Sequence, residues 1–410
     1  MTTPLQTRPP GAVPGPVRRA DRALAPDLAR GAMLLIIALA HAPSVFFDNA
    51  PGVDTTPHGL ERLYNIFLFT FVHARGLPLF ALMFGYGLIQ LARRQDTIGE
   101  DPRVTRSILL RRNAWLFVFG ALHGILLFSG DILGAYGILG IIFTLVLLRR
   151  GDKVHRVAVA YVVFGAVYLA VLAVLVTVGI MGSGDGDATV STVPFMTATG
   201  ADYLDSILIR LGEWPLGTLT FLSFILVVWF GAWAARHRVL EEPAKHRRAL
   251  RLGAILGFVV GIAGGLPMGL QAAGFLHVDE GTGDLIKLLY QTSGFFGGIG
   301  YVCVFGLVAL RLSRRSHRST PSTIVTALTA LGQRSLSGYI LQSIAWLVLA
   351  SPYTLALGTT VDHPTYVSAA CAVAIWLSSV VIAYLMHRNG YRGPAETLLR
   401  RLTYGRRRST

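Results

Sequence analysis

Cysteine is nearly missing from this 410-residue chain: there are two, Cys303 and Cys371, each inside an apolar run. Neither has metal-ligand spacing, and no disulfide framework is indicated, so both read as small buried hydrophobes. Charge is scarce as well, at 14% of residues against about 25% in soluble domains. The glycine-rich runs lack a Walker pattern and a strand-then-helix setting, which disfavours nucleotide hydrolysis. The first 26 residues lack the apolar stretch of a cleaved signal peptide. No metal is expected.

What fills the chain instead is hydrocarbon. Hydrophobic residues make up 53% and the mean hydropathy is +0.55. Apolar runs of about 18 residues or more recur, each long enough to cross a hydrocarbon layer of ~30 Å. The fold class is therefore all-α, a polytopic integral membrane protein; a β-barrel would show short alternating segments. The net charge of +15 follows the same plan. Of 37 Lys and Arg, 32 fall in six segments: 1–30, 93–112, 149–156, 236–251, 311–318 and 388–410. Between them lie acidic loops, such as the one with Asp185, Asp187, Asp202, Asp205 and Glu213. Placing the basic segments in the cytoplasm gives ten spans (10–11 at most), with both termini inside a bacterial inner membrane. The charge reads as orientation and attraction to anionic lipid, and not as nucleic-acid binding.

In chain order, residues 1–26 read as a disordered cytoplasmic tail. Residues 27–156 hold the N-terminal helices that carry the candidate site, 157–387 the remaining helices, and 388–410 a basic amphipathic end suited to a membrane surface. The first span is Gly31–Phe47, with Asp27 and Arg30 on one face at its mouth. The next, residues 63–94, is too long for one straight helix, and Gly76 with Pro78 marks a break near its middle. Asn113–Arg150 is a helical hairpin turning at Gly130–Asp131. After Val157–Met181 comes a polar loop, Gly182–Glu213, followed by spans at Trp214–Arg236, Ala254–Ala273 and Leu288–Leu310. The glycines of the last two, in GLPMG and GFFGGIGY, point to close helix packing or a broken helix. Residues 326–346 begin as an interfacial helix before spanning from about Leu336. The last span is Tyr366–His387.

Of eleven histidines, eight fall in loops or basic segments, His155 among them. His41, His73 and His123 lie inside spans, each about eleven residues, or roughly 16 Å, from its own membrane entrance. Three imidazoles at one depth can build a shared polar pocket, and intramembrane titratable groups are functional candidates by default. Arg75 joins them near the break, and Asp131 lies at the hairpin turn. Within such a pocket His41 or His123 can serve as a general base, Asp131 as an orienting group and Arg75 as a stabiliser of negative charge, with His73 beside them. Each has a plainer reading. A span histidine hydrogen-bonds a neighbouring helix, Asp131 caps the next helix, and Arg75 pairs with Glu61 or a carbonyl freed at the break. Tyr339 and Gln342, on one face of SGYILQS, read as interhelical contacts.

Four pieces resemble the DUF418, or YeiB-like, family of bacterial membrane proteins: LFALMFGYGL (79–88), RRNAWLFVFGALHGILLFSGDILGAYGILG (111–140), LGQRSLSGYILQSI (331–344) and GPAETLLRRLTYG (393–405). PDLARG (26–31) matches the family's opening motif with Pro26 and Ala29 in place of leucines. The family is similar to transmembrane acyltransferases of the heparan glucosaminide N-acetyltransferase type. That resemblance implies an enzyme moving an acyl group from cytoplasmic acyl-CoA to an extracytoplasmic or lipid-linked acceptor. The implied partners are membrane lipids, acyl-CoA (acetyl-CoA) as co-substrate and a hydroxyl- or amine-bearing acceptor, with a homodimer among the assemblies. Arg30, Arg93, Arg94, Arg111, Arg112 and Arg334 are the basic side chains available to the CoA phosphates. A transporter or exporter of a small metabolite, built on the broken helices, is the alternative; a non-catalytic scaffold or sensor is the second.

Overall fold

In the computed structural model the described residues are 23–42, 57–97, 99–183, 186, 188, 190, 200–316, 322–361 and 363–405. All regular structure among them is helical. In chain order the helices are α1 (Leu24–His41), α2 (Leu60–Phe67), α3 (Gly76–Thr97), α4 (Pro102–Leu126), α5 (Leu133–Val146), α6 (Asp152–Gly182), α7 (Tyr203–Thr220), α8 (Ile225–Arg236), α9 (Arg247–Ala272), α10 (Glu280–Ser316), α11 (Thr323–Gly332), α12 (Ser335–Ala350), α13 (Leu357–Thr360), α14 (Pro364–Arg388) and α15 (Pro394–Tyr404). Seven helical units among the described residues are long and apolar enough to cross a membrane. Three more apolar helices, α5, α11 and α12, are shorter.

α1 is the axis of the bundle. It packs on α11, α14, α10, α3 and α12, and its buried residues Ala29, Met33, Leu34 and Ile37 repeat at helical spacing on one face. α6 lies at the other extreme. It is buried over only a small part of its length, and Val163, Phe164, Val167, Val171, Val174 and Val178 stand exposed along it. An apolar exposed row of that length suits a hydrocarbon solvent and no other.

The break expected at Gly76–Pro78 is present and has a definite form. α2 runs into a π-helical turn, Leu68–Val72, the chain leaves the helix at His73, and Ala74 takes a positive φ of 60° before α3 starts at Gly76. The expected interfacial-then-spanning unit also divides, at Gln333–Arg334 between α11 and α12. Glu396 of α15 accepts the Leu336 and Ser337 N–H groups at 2.8 and 3.1 Å, supplying the partners that the first turn of α12 lacks.

Several expectations are corrected. The polar loop drawn over Gly182–Glu213 is helical from Tyr203, because Asp202 caps that helix by accepting the Asp205 N–H at 2.9 Å. α7, a 3-10 turn and α8 then form one apolar unit, Tyr203–Arg236. GLPMG does not break α9, nor GFFGGIGY α10; both helices are continuous and pack closely on each other. α1 begins at Leu24, inside the stretch read as tail, whereas residues 1–22 and the far end of the first expected span, 43–47, lie outside the described residues. His155 is fully buried: its Nε2 reaches the Leu147 carbonyl at 3.2 Å and its Nδ1 accepts the Trp229 indole N–H at 3.2 Å. Both ring nitrogens are satisfied, which makes it a packing residue of the α5–α6 corner and not part of a basic loop.

Candidate functional site

The site is assembled at the α4–α5 hairpin, where glycines let the two arms touch backbone to backbone. A methyl group at Gly120 would collide with the backbone of Gly134, so the helices close to a separation no larger residue permits. α4 ends at Leu126, and its last turn is closed by the His123 carbonyl accepting the Leu127 and Phe128 N–H groups at 2.9 and 3.0 Å. The chain then turns back so tightly that Asp131, eight residues further on, comes into contact with His123.

Asp131 has two tasks at once. Its Oδ2 accepts the Gly134 N–H at 2.7 Å, capping α5, and its Oδ1 lies 2.9 Å from His123 Nδ1. The two atoms do not meet hydrogen-bond angles, so the pair is a close polar contact. Both side chains are buried, His123 at 4% exposure and Asp131 at 1%. On the far edge of the ring, His123 Nε2 is 2.8 Å from the hydroxyl of Ser343 on α12. Tyr339, one turn earlier, places its ring 4.8 Å from the imidazole. Gln342 donates to the Leu34 carbonyl at 3.3 Å, which ties this stretch of α12 to α1. The result is a buried row, Asp131–His123–Ser343, drawn from three helices.

Sequence reading identified two of its members and missed the third. Ser343 follows Gln342 directly and lies four residues after Tyr339, which also faces the site. A hydroxyl one helical turn from an aromatic within an apolar run was the available signal.

The other span histidines stand in sequence with His123 and not in a ring around it. His41 lies within electrostatic reach of His123, with its ring 5.2 Å from Phe128 of the hairpin turn. His73 lies within reach of His41 and stacks on Phe69 at 5.1 Å. Arg75 is turned toward α9 and α10: it donates to the carbonyls of His73 at 2.9 Å and Gly261 at 2.6 Å, and sits 5.2 Å from the Tyr290 ring. None of these contacts is with His123 or Asp131, and they match the plainer reading of a cation satisfying carbonyls at a helix break. Trp214 of α7 covers the hairpin, resting on Gly124 and Gly134.

The six arginines proposed for an anionic ligand are dispersed. Arg30 is 3.7 Å from Asp27, which also accepts from Gln333 at 3.0 Å. Arg112 is within electrostatic reach of Arg30 and of Tyr404 on α15, and makes its hydrogen bond to Asn113 at 3.1 Å. Arg93 bonds Glu241 at 2.5 Å and the Ala235 carbonyl at 2.9 Å. It lines a cavity of about 650 Å³ together with Arg149, Arg236, His237, Asp96 and Asp152. Arg111 lines a shallower cavity of about 600 Å³ with Arg103 and Arg106. Arg94 ends α3. Arg334 is buried, held by the Ala330 carbonyl at 3.0 Å and by that of Tyr391. Neither cavity is lined by His41, His73 or His123. Among the described residues no three His, Cys, Asp or Glu side chains gather as metal ligands.

Comparison with known proteins places this arrangement in context. Residues 234–406 match the family described as "Protein of unknown function (DUF418)". The chain is 26% identical to "Uncharacterized protein YeiB" of Escherichia coli (strain K12) over 407 residues, covering 93% of this chain and 96% of that protein. It is 24% identical to "Uncharacterized protein YxaH" of Bacillus subtilis (strain 168), covering 82% and 80%. It is 22% identical to "Uncharacterized 39.9 kDa protein in amylase 3'region" of Bacillus acidopullulyticus, covering 93% of each. The DUF418 match includes α12 with Ser343, while His123 and Asp131 lie before it, within the part that the full-length relatives also cover. These matches bear out the resemblance carried by the four sequence motifs: residues 234–406 match the DUF418 family, and the chain is similar over most of its length to YeiB and YxaH.

Proposed function

We propose that this chain is a transmembrane acyltransferase. It moves an acetyl-like acyl group from cytoplasmic acyl-CoA to a hydroxyl- or amine-bearing acceptor that is extracytoplasmic or lipid-linked. The observation that carries the reading is the buried row Asp131–His123–Ser343 within an apolar bundle. A carboxylate on Nδ1 keeps the proton on that nitrogen and leaves Nε2 as a base, the division of labour that acyl transfer requires. Burying a carboxylate beside an imidazole in such surroundings costs several kcal/mol, more than the roughly 1 kcal/mol that its cap on α5 returns, which supports a role beyond capping.

In this reading the basic ends of the helices face the cytoplasm of a bacterial cell, ten spans cross the inner membrane, and both termini lie inside. Arg30 and Arg112, close together between α1, α3 and α4, are the natural partners for CoA phosphates, with Arg93 and Arg111 at the nearby cavities. His41, within reach of His123, extends the polar path toward the acceptor side. The test is thioester loss from acetyl-CoA by the purified protein. His123→Ala should abolish it; unchanged turnover in His123→Ala and His41→Ala would remove the site assignment.

A second reading, a small-metabolite transporter, draws on one observation: the π-turn and break at His73–Arg75, with a buried cation amid glycines of α9 and α10. Counterflow of a substrate in proteoliposomes without any CoA thioester would favour it.

A further inference from the structure

The geometry points to Ser343 as a covalent acyl carrier, so that transfer proceeds in two half-reactions through an ester on its Oγ and not in one step between donor and acceptor. This rests on the acyltransferase reading and adds the group through which the acyl passes.

The first support is the occupancy of the base. Asp131 lies against Nδ1, which favours the tautomer with its lone pair on Nε2, and Nε2 is 2.8 Å from the Ser343 hydroxyl. A histidine awaiting a proton from an external acceptor would present Nε2 to an open space. Here the nearest proton available to it is that of Ser343.

The second is the direction of the hydroxyl. Serine inside an apolar helix ordinarily donates to the carbonyl four residues earlier. Ser343 has that option at the Tyr339 carbonyl, but the distance is 3.3 Å, half an ångström longer than the line to His123. The third is shielding: Ser343 is 5% exposed, His123 4% and Asp131 1%, and an acyl ester survives only where water is kept away. Storing the acyl group on the protein also separates donor from acceptor in time, which suits substrates on opposite faces of a membrane.

The chemistry balances. Ser343 Oγ attacks the thioester carbonyl carbon while its proton passes to His123 Nε2. The carbon–sulfur bond breaks, and the sulfur leaves as a thiol carrying that proton, with the acyl group now an ester on Ser343. An acceptor hydroxyl or amine then gives its proton to His123 and attacks the ester carbonyl, and Ser343 Oγ departs as the hydroxyl.

The experiment uses the full-length protein in lipid nanodiscs with acyl-labelled CoA thioesters, from acetyl- to palmitoyl-CoA, first alone and then with hydroxylamine as surrogate acceptor, every rate being taken above the protein-free reaction of hydroxylamine with the thioester. Without acceptor, wild type should release a stoichiometric burst of thiol and carry the label on the peptide containing Ser343. Ser343→Ala should lose both label and burst, with at least a ~100-fold fall in hydroxamate formation, while melting like the wild type. Ser343→Cys should recover a label that neutral hydroxylamine removes, since a thioester replaces the ester; a purely structural hydroxyl would give no such signature. Ser343→Ala that still forms hydroxamate at the wild-type rate, or wild type that turns over without ever holding label, overturns the carrier and leaves the acyltransferase reading standing. Wild type that cleaves no thioester in the series, with or without hydroxylamine, removes that reading and the carrier with it.

Discussion

His123 and Asp131 are eight residues apart on opposite arms of a hairpin, and their side chains meet at 2.9 Å in the interior of the protein. The same carboxylate caps the second arm through the Gly134 N–H. Folding the hairpin and setting the imidazole are therefore one event: α5 cannot take its cap without bringing a carboxylate to Nδ1. A site built in this way is as rigid as the turn that makes it, which is what a base needs to hold one tautomer.

Replacement of Asp131 separates the two tasks. Asp131→Asn keeps an oxygen for the Gly134 N–H, so the melting temperature should stay near that of wild type. Acyl-CoA cleavage should nonetheless fall by about 100- to 10,000-fold, because a neutral amide no longer fixes the proton on Nδ1. Asp131→Ala should lose activity and also about 1–2 kcal/mol of stability through the missing cap. Thiol release and thermal melting, measured on both variants, check the separation; equal melting of Asn and Ala variants would deny the capping role.

Gly124 is held at glycine by Trp214. A methyl group there would run into the indole, which is buried between Gly124 and Gly134. Gly124→Ala should push α7 away from the hairpin and cost about 1–3 kcal/mol. Trp214→Ala should cost about 3–5 kcal/mol through the void it leaves. The double variant should be more stable than the sum of the two losses implies, since the methyl then enters vacated space. Additive losses in denaturant or thermal unfolding would contradict a direct contact.

Hydropathy alone reveals the all-helical membrane class, and punctuation by Gly76 and Pro78 reveals the break before α3, because both are local properties of a chain in hydrocarbon. The depth count put His123 and His41 in range of each other, since rise per residue is fixed in a helix. It does not bring Asp131 to His123, because distance along a helix says nothing about a turn that doubles back. Ser343 escaped because it meets His123 across 220 positions, and helix-to-helix pairing is not a periodic signal. The helical start of α7 was overlooked because the acidic residues read as loop markers; Asp202 is in fact its cap.

Arg75 offers a contrast with the buried carboxylate proposed for chemistry. Its hydrogen bonds go to the carbonyls of His73 and Gly261, and Gly265 and Gly297 leave room for its side chain. Arg75→Ala should therefore destabilise the junction of α3 with α9 and α10 by about 3 kcal/mol or more, from unpaired carbonyls together with lost packing. Thioester cleavage per folded molecule should stay within about tenfold of wild type, whereas a group that stabilised the reacting oxyanion would cost ~100-fold or more. Thiol release normalised to the folded fraction distinguishes the two.

Asp279, just before α10, provides a test of stability against pH away from the site. Its carboxylate accepts the Ser183 hydroxyl, the Thr282 N–H at 3.0 Å and the Thr282 hydroxyl at 2.7 Å. These hydrogen bonds, that of Ser183 first, hold the carboxyl well below the usual carboxylate range. A depressed value means that the folded protein binds this proton less readily than the unfolded chain does. The contribution is thus complete above the unfolded value of about 3.9 and shrinks as pH falls from there toward the folded value. Asp279→Asn should melt lower than wild type by a constant margin from about pH 5 to 8, and the margin should close steadily below about pH 4. Melting curves of the two proteins across that range decide it: a margin that widens on acidification would mean that the carboxylate is not what joins the end of α6 to the start of α10.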